Sequence, residues 1–189
     1  MNKKYLNFIT TYFRKQKGLT LIEILIAVAM LSMTIIAVSG LFVAGINYHR
    51  RVLATQELID QTSYIMEYMS RALRMAKRDA NGGCIQAGRN YELTSDGIKF
   101  LSSNGDCTEF YLDGGQIKKK IGALSWNLLS STFTVKFLNF SISGEDSPPT
   151  DTYQPRVTII LDVSGRAIGN TGSPRVQVQT TVSQRNLDI

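Results

Sequence analysis

One carboxylate in this chain stands where a carboxylate is expensive. Glu23 opens directly onto Ile24–Ile46, ILIAVAMLSMTIIAVSGLFVAGI, a run of 23 residues without a charge. A charged side chain at the centre of a bilayer costs roughly 2.5–3.5 kcal/mol on insertion scales, so it is there for a purpose. Gly18 lies just upstream, and before it Lys3, Lys4, Arg14, Lys15 and Lys17 form a leader without an acid. If the chain is cut after Gly18, Leu19 acquires a cationic amine and Glu23 sits near the positive end of the helix that follows. The amine of a neighbouring copy can then pair with Glu23, compensating the buried charge and fixing the stagger between subunits. An uncut chain has no amine at that position.

The other residues capable of chemistry point elsewhere. Cys84 and Cys107 are the only cysteines and His49 is the only histidine. A disulfide between the two cysteines is the expectation on the exterior side of a membrane, with two buried thiols as the alternative. No zinc site can be composed from this set, so no metal is expected. His49 sits beside Arg50 and Arg51 at the end of the apolar run, which suits lipid head groups rather than catalysis. Phosphate-loop, dinucleotide and HExxH patterns are absent, and neither a cofactor nor an enzyme activity is expected. Glu145, Asp146 and Asp151 lack the spacing of a calcium loop. Lys118, Lys119 and Lys120 read as edge-strand lysines that deter sheet-to-sheet pairing. Asn139-Phe140-Ser141 has the form of a glycosylation acceptor but falls inside an expected strand.

Elements must position these groups. The 189 residues are 43% hydrophobic and 19% charged, with a formal charge of +6. The leader carries five of the 21 basic residues, leaving 16 against all 15 acids. From residue 80 onward there are ten of each sign. A nucleic-acid partner is therefore not expected, because the folded part lacks a concentrated basic face. The uncharged run spans roughly 34 Å as a helix, enough to cross a hydrocarbon core of about 30 Å. The positive leader places residues 1–18 in the cytoplasm and everything after Tyr48 outside. A cleaved secretory signal would have a shorter apolar core, and this one continues past Ala37-Val38-Ser39. A plain signal anchor that keeps its leader is the rival reading, but it gives Glu23 no use.

The segment KGLTLIEILIAVAML resembles the N-terminus of type IV pilins and type II secretion pseudopilins. In that family a membrane peptidase, the prepilin peptidase, cuts after the glycine and methylates the new N-terminus. The resemblance maps Gly18 and Leu19 onto the processing site and Glu23 onto the assembly carboxylate. Two features depart from the common pattern: Leu19 stands where phenylalanine is usual, and the 18-residue leader is long. The resemblance implies a membrane-inserted structural subunit, with membrane lipid, prepilin peptidase and other pilin or pseudopilin subunits as partners. Its expected destination is the cytoplasmic membrane, single-pass, and then a pilus or pseudopilus.

Residues 47–79 keep a helical period. Tyr48, Val52, Ile59, Met66, Met69, Leu73 and Ala76 form one stripe with Thr55 and Thr62 filling its remaining positions, widened by Leu58, Ile65 and Ala72. No proline occurs before Pro148, so one helix is expected from residue 19 to about 79, ended by Asn81-Gly82-Gly83. Gly40 to Gly45 is its expected soft stretch. Strand signals follow. Asn90–Thr94 with Ile98–Ser102, and Thr108–Leu112 with Gln116–Ile121, read as hairpins. Thr132–Ser143 changes the parity of its apolar side chains, predicting a β-bulge near Phe137–Asn139. Arg156–Val163 and Arg175–Ser183 each have one apolar face. The expected fold is α+β and pilin-like: one long N-terminal helix with its amphipathic half packed on an antiparallel sheet. The expected divisions are a leader (1–18), a transmembrane and assembly helix (19–46), an amphipathic half (47–80) and a β-rich extracytoplasmic domain (81–189). The neutral domain and the placement of the cysteine pair suggest a minor subunit.

Overall fold

The structure is a computed structural model that describes residues 18–144, 154–167 and 172–185. The leader before Gly18 and the acids Glu145, Asp146 and Asp151 lie outside the described residues. The chain divides into two units, residues 1–48 and 49–189.

One helix, α1 (Leu21–Arg74), contributes to both. Thr20 begins it: the Glu23 N–H donates to the Thr20 carbonyl at 3.0 Å and approaches the Thr20 hydroxyl at 3.4 Å. Thr20 and Glu23 thus have the spacing of a capping box, with an acid in the first turn where the helix dipole favours it. The helix continues unbroken through Gly40 and Gly45. In the first unit it is long and apolar enough to cross a membrane.

Among the described residues of the second unit eight strands follow. β1 (Tyr91–Leu93), β2 (Gly97–Leu101), β3 (Cys107–Asp113), β4 (Gln116–Ile121) and β5 (Leu124–Asn127) form one antiparallel sheet in sequence order. β6 (Thr134–Ser143), β7 (Arg156–Ser164) and β8 (Arg175–Ser183) form another. The expected single sheet is therefore two. They meet where the Val135 N–H donates to the Gly115 carbonyl and Gln116 Nε2 to the Phe133 carbonyl. One apolar core serves both: Leu58, Ile65, Met69 and Leu73 of α1 pack with Phe100, Phe110 and Ile117, and with Phe140, Ile159 and Leu161.

Four expectations need correcting. Helix α1 stops at Arg74, about five residues early, because the backbone beyond it is taken by strand-like pairing. The Lys77 N–H donates to the Leu101 carbonyl, and the Asp79 N–H to the Arg89 carbonyl. The last carbonyls of the helix find distant donors instead of a glycine cap: Tyr91 Oη for Leu73 at 2.7 Å, and the Arg185 N–H for Arg74 at 2.9 Å. The buried stripe runs through Leu58, Thr62, Ile65, Met69 and Leu73, while Ile59 and Tyr48 are exposed. The bulge falls between Val135 and Phe137, which turns Phe137 outward and Phe140 inward. Finally, Lys118–Lys120 are not at an edge, since β4 pairs with both β3 and β5. Strand β5 had no clear sequence signal and takes the edge itself.

Gly97 is required by close approach. A Cβ there would stand 1.9 Å from the Phe110 carbonyl oxygen.

Candidate functional site

The N-terminal site begins at Gly18, which is exposed, with nothing within 4 Å of where a Cβ would stand. The fold itself therefore places no demand for glycine at this position. Leu19 and Thr20 follow, both exposed, and then the first turn of α1 with Glu23. Among the described residues the Glu23 carboxylate has no hydrogen bond or ion pair. Every residue from Gly18 to Arg51 is exposed, so the apolar surface of this segment has no cover from the described residues.

The hydroxyls in the run are all turned back onto the helix. Ser32 donates to the Val28 carbonyl, Thr34 to Leu31 and Ser39 to Ile35, each at 2.8 Å. Such back-bonding removes free polar hydrogens from an apolar surface, so these residues can face hydrocarbon at small cost. Glu23 is left as the one charged group between Gly18 and Ile46. Tyr48, His49, Arg50 and Arg51 close the run with the amphipathic and basic side chains found at a membrane–water boundary.

In the second unit the structure joins Cys84 to Cys107 with a Cα–Cα distance of 5.2 Å. The bond ties the loop after α1 to the start of β3. Sequence reading missed what organises that loop. The Asp79 carboxylate is buried and accepts five backbone N–H groups. Asn81, Gly82 and Gly83 reach Oδ1 at 3.2, 2.9 and 3.3 Å, while Cys84 and Ile85 reach Oδ2 at 2.6 and 3.0 Å. Successive N–H groups aimed at one point form a nest for an anion, and here the chain supplies its own. The Cys84 and Ile85 N–H groups, with Gly83 and Gly82, outweigh burial and lower the Asp79 pKa from 3.8 to about 2. The available signal was an Asp two residues before Asn-Gly-Gly. Gly82 takes a positive φ of 72°, which lets the loop curl around the carboxylate.

A second buried acid, Asp162 of β7, is held by Arg175 of β8. Arg175 Nε lies 2.7 Å from Oδ1, and Nη2 contacts Oδ2. This pairing keeps the Asp162 pKa below its usual value despite burial. Lys118 of β4 pairs with Asp113 at 2.6 Å.

Residues 13–39 match the family model described as the prokaryotic N-terminal methylation motif. No curated protein and no solved structure matches the chain. The matched stretch contains Gly18, Leu19 and Glu23. The chain thus carries the prepilin-type N-terminal signature, on an apolar helix followed by an α+β domain. That signature belongs to structural subunits of pilin-like filaments and their precursors, and it points to membrane anchoring through the N-terminal helix with a globular domain after it.

Proposed function

We propose that this chain is the precursor of a filament subunit of the type IV pilin and pseudopilin class, cut between Gly18 and Leu19 by prepilin peptidase. The mature chain remains in the cytoplasmic membrane through residues 19–46, with the β-rich domain on the outer side. Assembly brings these segments of many copies into a shared bundle. Glu23 of one copy then pairs with the Leu19 amine of the next, and this pairing sets the stagger. The role is structural, and the neutral charge of the domain suits a minor subunit.

The observation that carries this reading is a carboxylate without a partner among the described residues, at the head of an uncovered apolar helix. A plain anchor would be improved by Glu23→Leu, whereas a filament subunit loses its pairing charge. Gly18 supports the same reading, because the fold gives no steric reason for glycine there. Mass spectrometry of membrane-extracted protein tests the processing step. The expected mature chain begins at Leu19, and Gly18→Val leaves the precursor whole. An intact Met1 in the wild type would instead mean an anchored protein that keeps its leader.

A further inference from the structure

The inner face of the five-stranded sheet extends beyond the helix that covers it. Trp126 of β5 is the cross-strand partner of Lys119, and Leu124 of Ile121, so both lie on the face whose other members, Phe110 and Ile117, are buried. Yet Trp126 is 41% exposed and Leu124 71%. Between β5 and α1 lies a groove of about 260 Å³, lined by Tyr64, Ile65, Tyr68, Trp126, Asn127 and Leu128. Lys119 stands at its side. Its ammonium is 5.4 Å from the Tyr68 ring centre and 5.5 Å from that of Trp126, and it donates to Tyr68 Oη at 2.8 Å. Among the described residues it has no carboxylate partner, unlike its neighbour Lys118. The groove therefore presents aromatic faces beside one half-buried cation whose charge is not balanced.

Aromatic-lined grooves suit extended proline-bearing segments, whose backbone is already ordered and loses little freedom on docking. The cation adds a requirement for an acid. This chain contains a segment with both properties: residues 145–153, EDSPPTDTY, with Pro148-Pro149, three acids and no base. We propose that the groove receives residues 145–153 of a second copy of this chain, with Lys119 pairing to one of Glu145, Asp146 or Asp151 and the prolines lying against Trp126 and Tyr64. This deepens the filament reading and rests on it, since assembly is what brings copies side by side.

Trp126 is the only tryptophan, so its emission reports on the groove alone. Full-length chain in detergent micelles would be titrated with a synthetic peptide of residues 144–155. The expected result is a saturable change in Trp126 emission, with affinity about tenfold weaker for Lys119→Gln, the scale of losing a charge-assisted hydrogen bond. Lys119→Arg should keep the binding, and peptide carrying Glu145→Gln, Asp146→Asn and Asp151→Asn should bind wild type as weakly as unaltered peptide binds Lys119→Gln. No saturable change, or equal affinity for Lys119→Gln and wild type, overturns the proposal. The second copy is tested with a photo-crosslinking amino acid at position 126 in a mixture of isotopically heavy and light chains. Heavy–light adducts mapping to residues 145–153 support it, and adducts confined to one chain overturn it. Peptide binding needs no filament, so its failure removes the groove and leaves the filament reading standing. Failure of the Leu19 start does the reverse.

Discussion

Glu23 and Asp79 are both carboxylates associated with the same helix, and they are treated in opposite ways. Asp79 is buried and given five backbone N–H donors by the loop that surrounds it. Glu23 is exposed, and none of the described residues pairs with it. Asp79 is therefore satisfied within its own unit, while Glu23 finds no partner among the described residues. Internal satisfaction marks a group that stabilises the fold. A charge without a partner on an apolar surface is what the proposed assembly would use, because folding gains nothing from it.

The largest expected effect tests the open end of that contrast. Glu23→Ala should abolish filament assembly, read as the loss of pelletable filaments, while near-ultraviolet circular dichroism of the domain stays unchanged. Filaments at wild-type yield would remove Glu23 from its role and the contrast with it. Next comes the bond that holds the Asp79 loop to β3. Reducing Cys84–Cys107 should lower the unfolding free energy by about 3 kcal/mol in denaturant titrations, the loop-entropy value for a closure of this length. Unchanged stability after reduction would mean that the nest holds the loop without help.

Acid should sharpen the comparison further. The folded Asp79 pKa is lowered to about 2 from 3.8, so its contribution is fully present above pH 3.8 and is lost as the pH falls toward 2. Asp162, also lowered by Arg175, loses its contribution in the same direction. Asp79→Asn should reduce the melting temperature by several degrees at pH 7 and flatten the fall below pH 4, leaving the part due to Asp162. An acid limb identical to wild type would mean that Asp79 is not the titrating group. The smallest effect belongs to the exposed pair Glu67–Arg71 on α1, 3.1 Å apart and open to water. Glu67→Gln should change stability by less than about 0.5 kcal/mol in the same titration.

The sequence announced some parts of this molecule and hid others, for identifiable reasons. Strand β7 was legible because Val157, Ile159, Leu161 and Val163 alternate without a break, and all four are buried. The apolar run was legible because its boundaries are charges. Strand β5 was not, because Leu124 and Trp126 follow a glycine turn in a stretch too short to show a period. The end of α1 was misread because Asn81-Gly82-Gly83 has the composition of a helix cap, whereas those residues serve as donors to Asp79. The stripe was set one residue out of phase at Ile59, since Leu58 and Ile59 are equally apolar and only the packed sheets decide between them. The lysines of β4 looked like edge protection until a further strand was found beside them. Of the proposed N-terminal site, Glu23 stood out as an acid at the head of an uncharged run, while the processing role of Gly18 and Leu19 came from the resemblance to pilins. The Asp79 nest was not readable, because backbone N–H groups leave no mark in an amino-acid sequence.

The carbonyl end of α1 is closed from far along the chain: Gln184 Nε2 donates to the Ala76 carbonyl across 108 positions, and the Arg185 N–H caps Arg74. Synthesis proceeds from the N-terminus, so the whole of α1 is made long before the residues that close it. The domain can lock only once Gln184 and Arg185 are in place, which leaves an interval in which its sheets are open to chaperones and proteases.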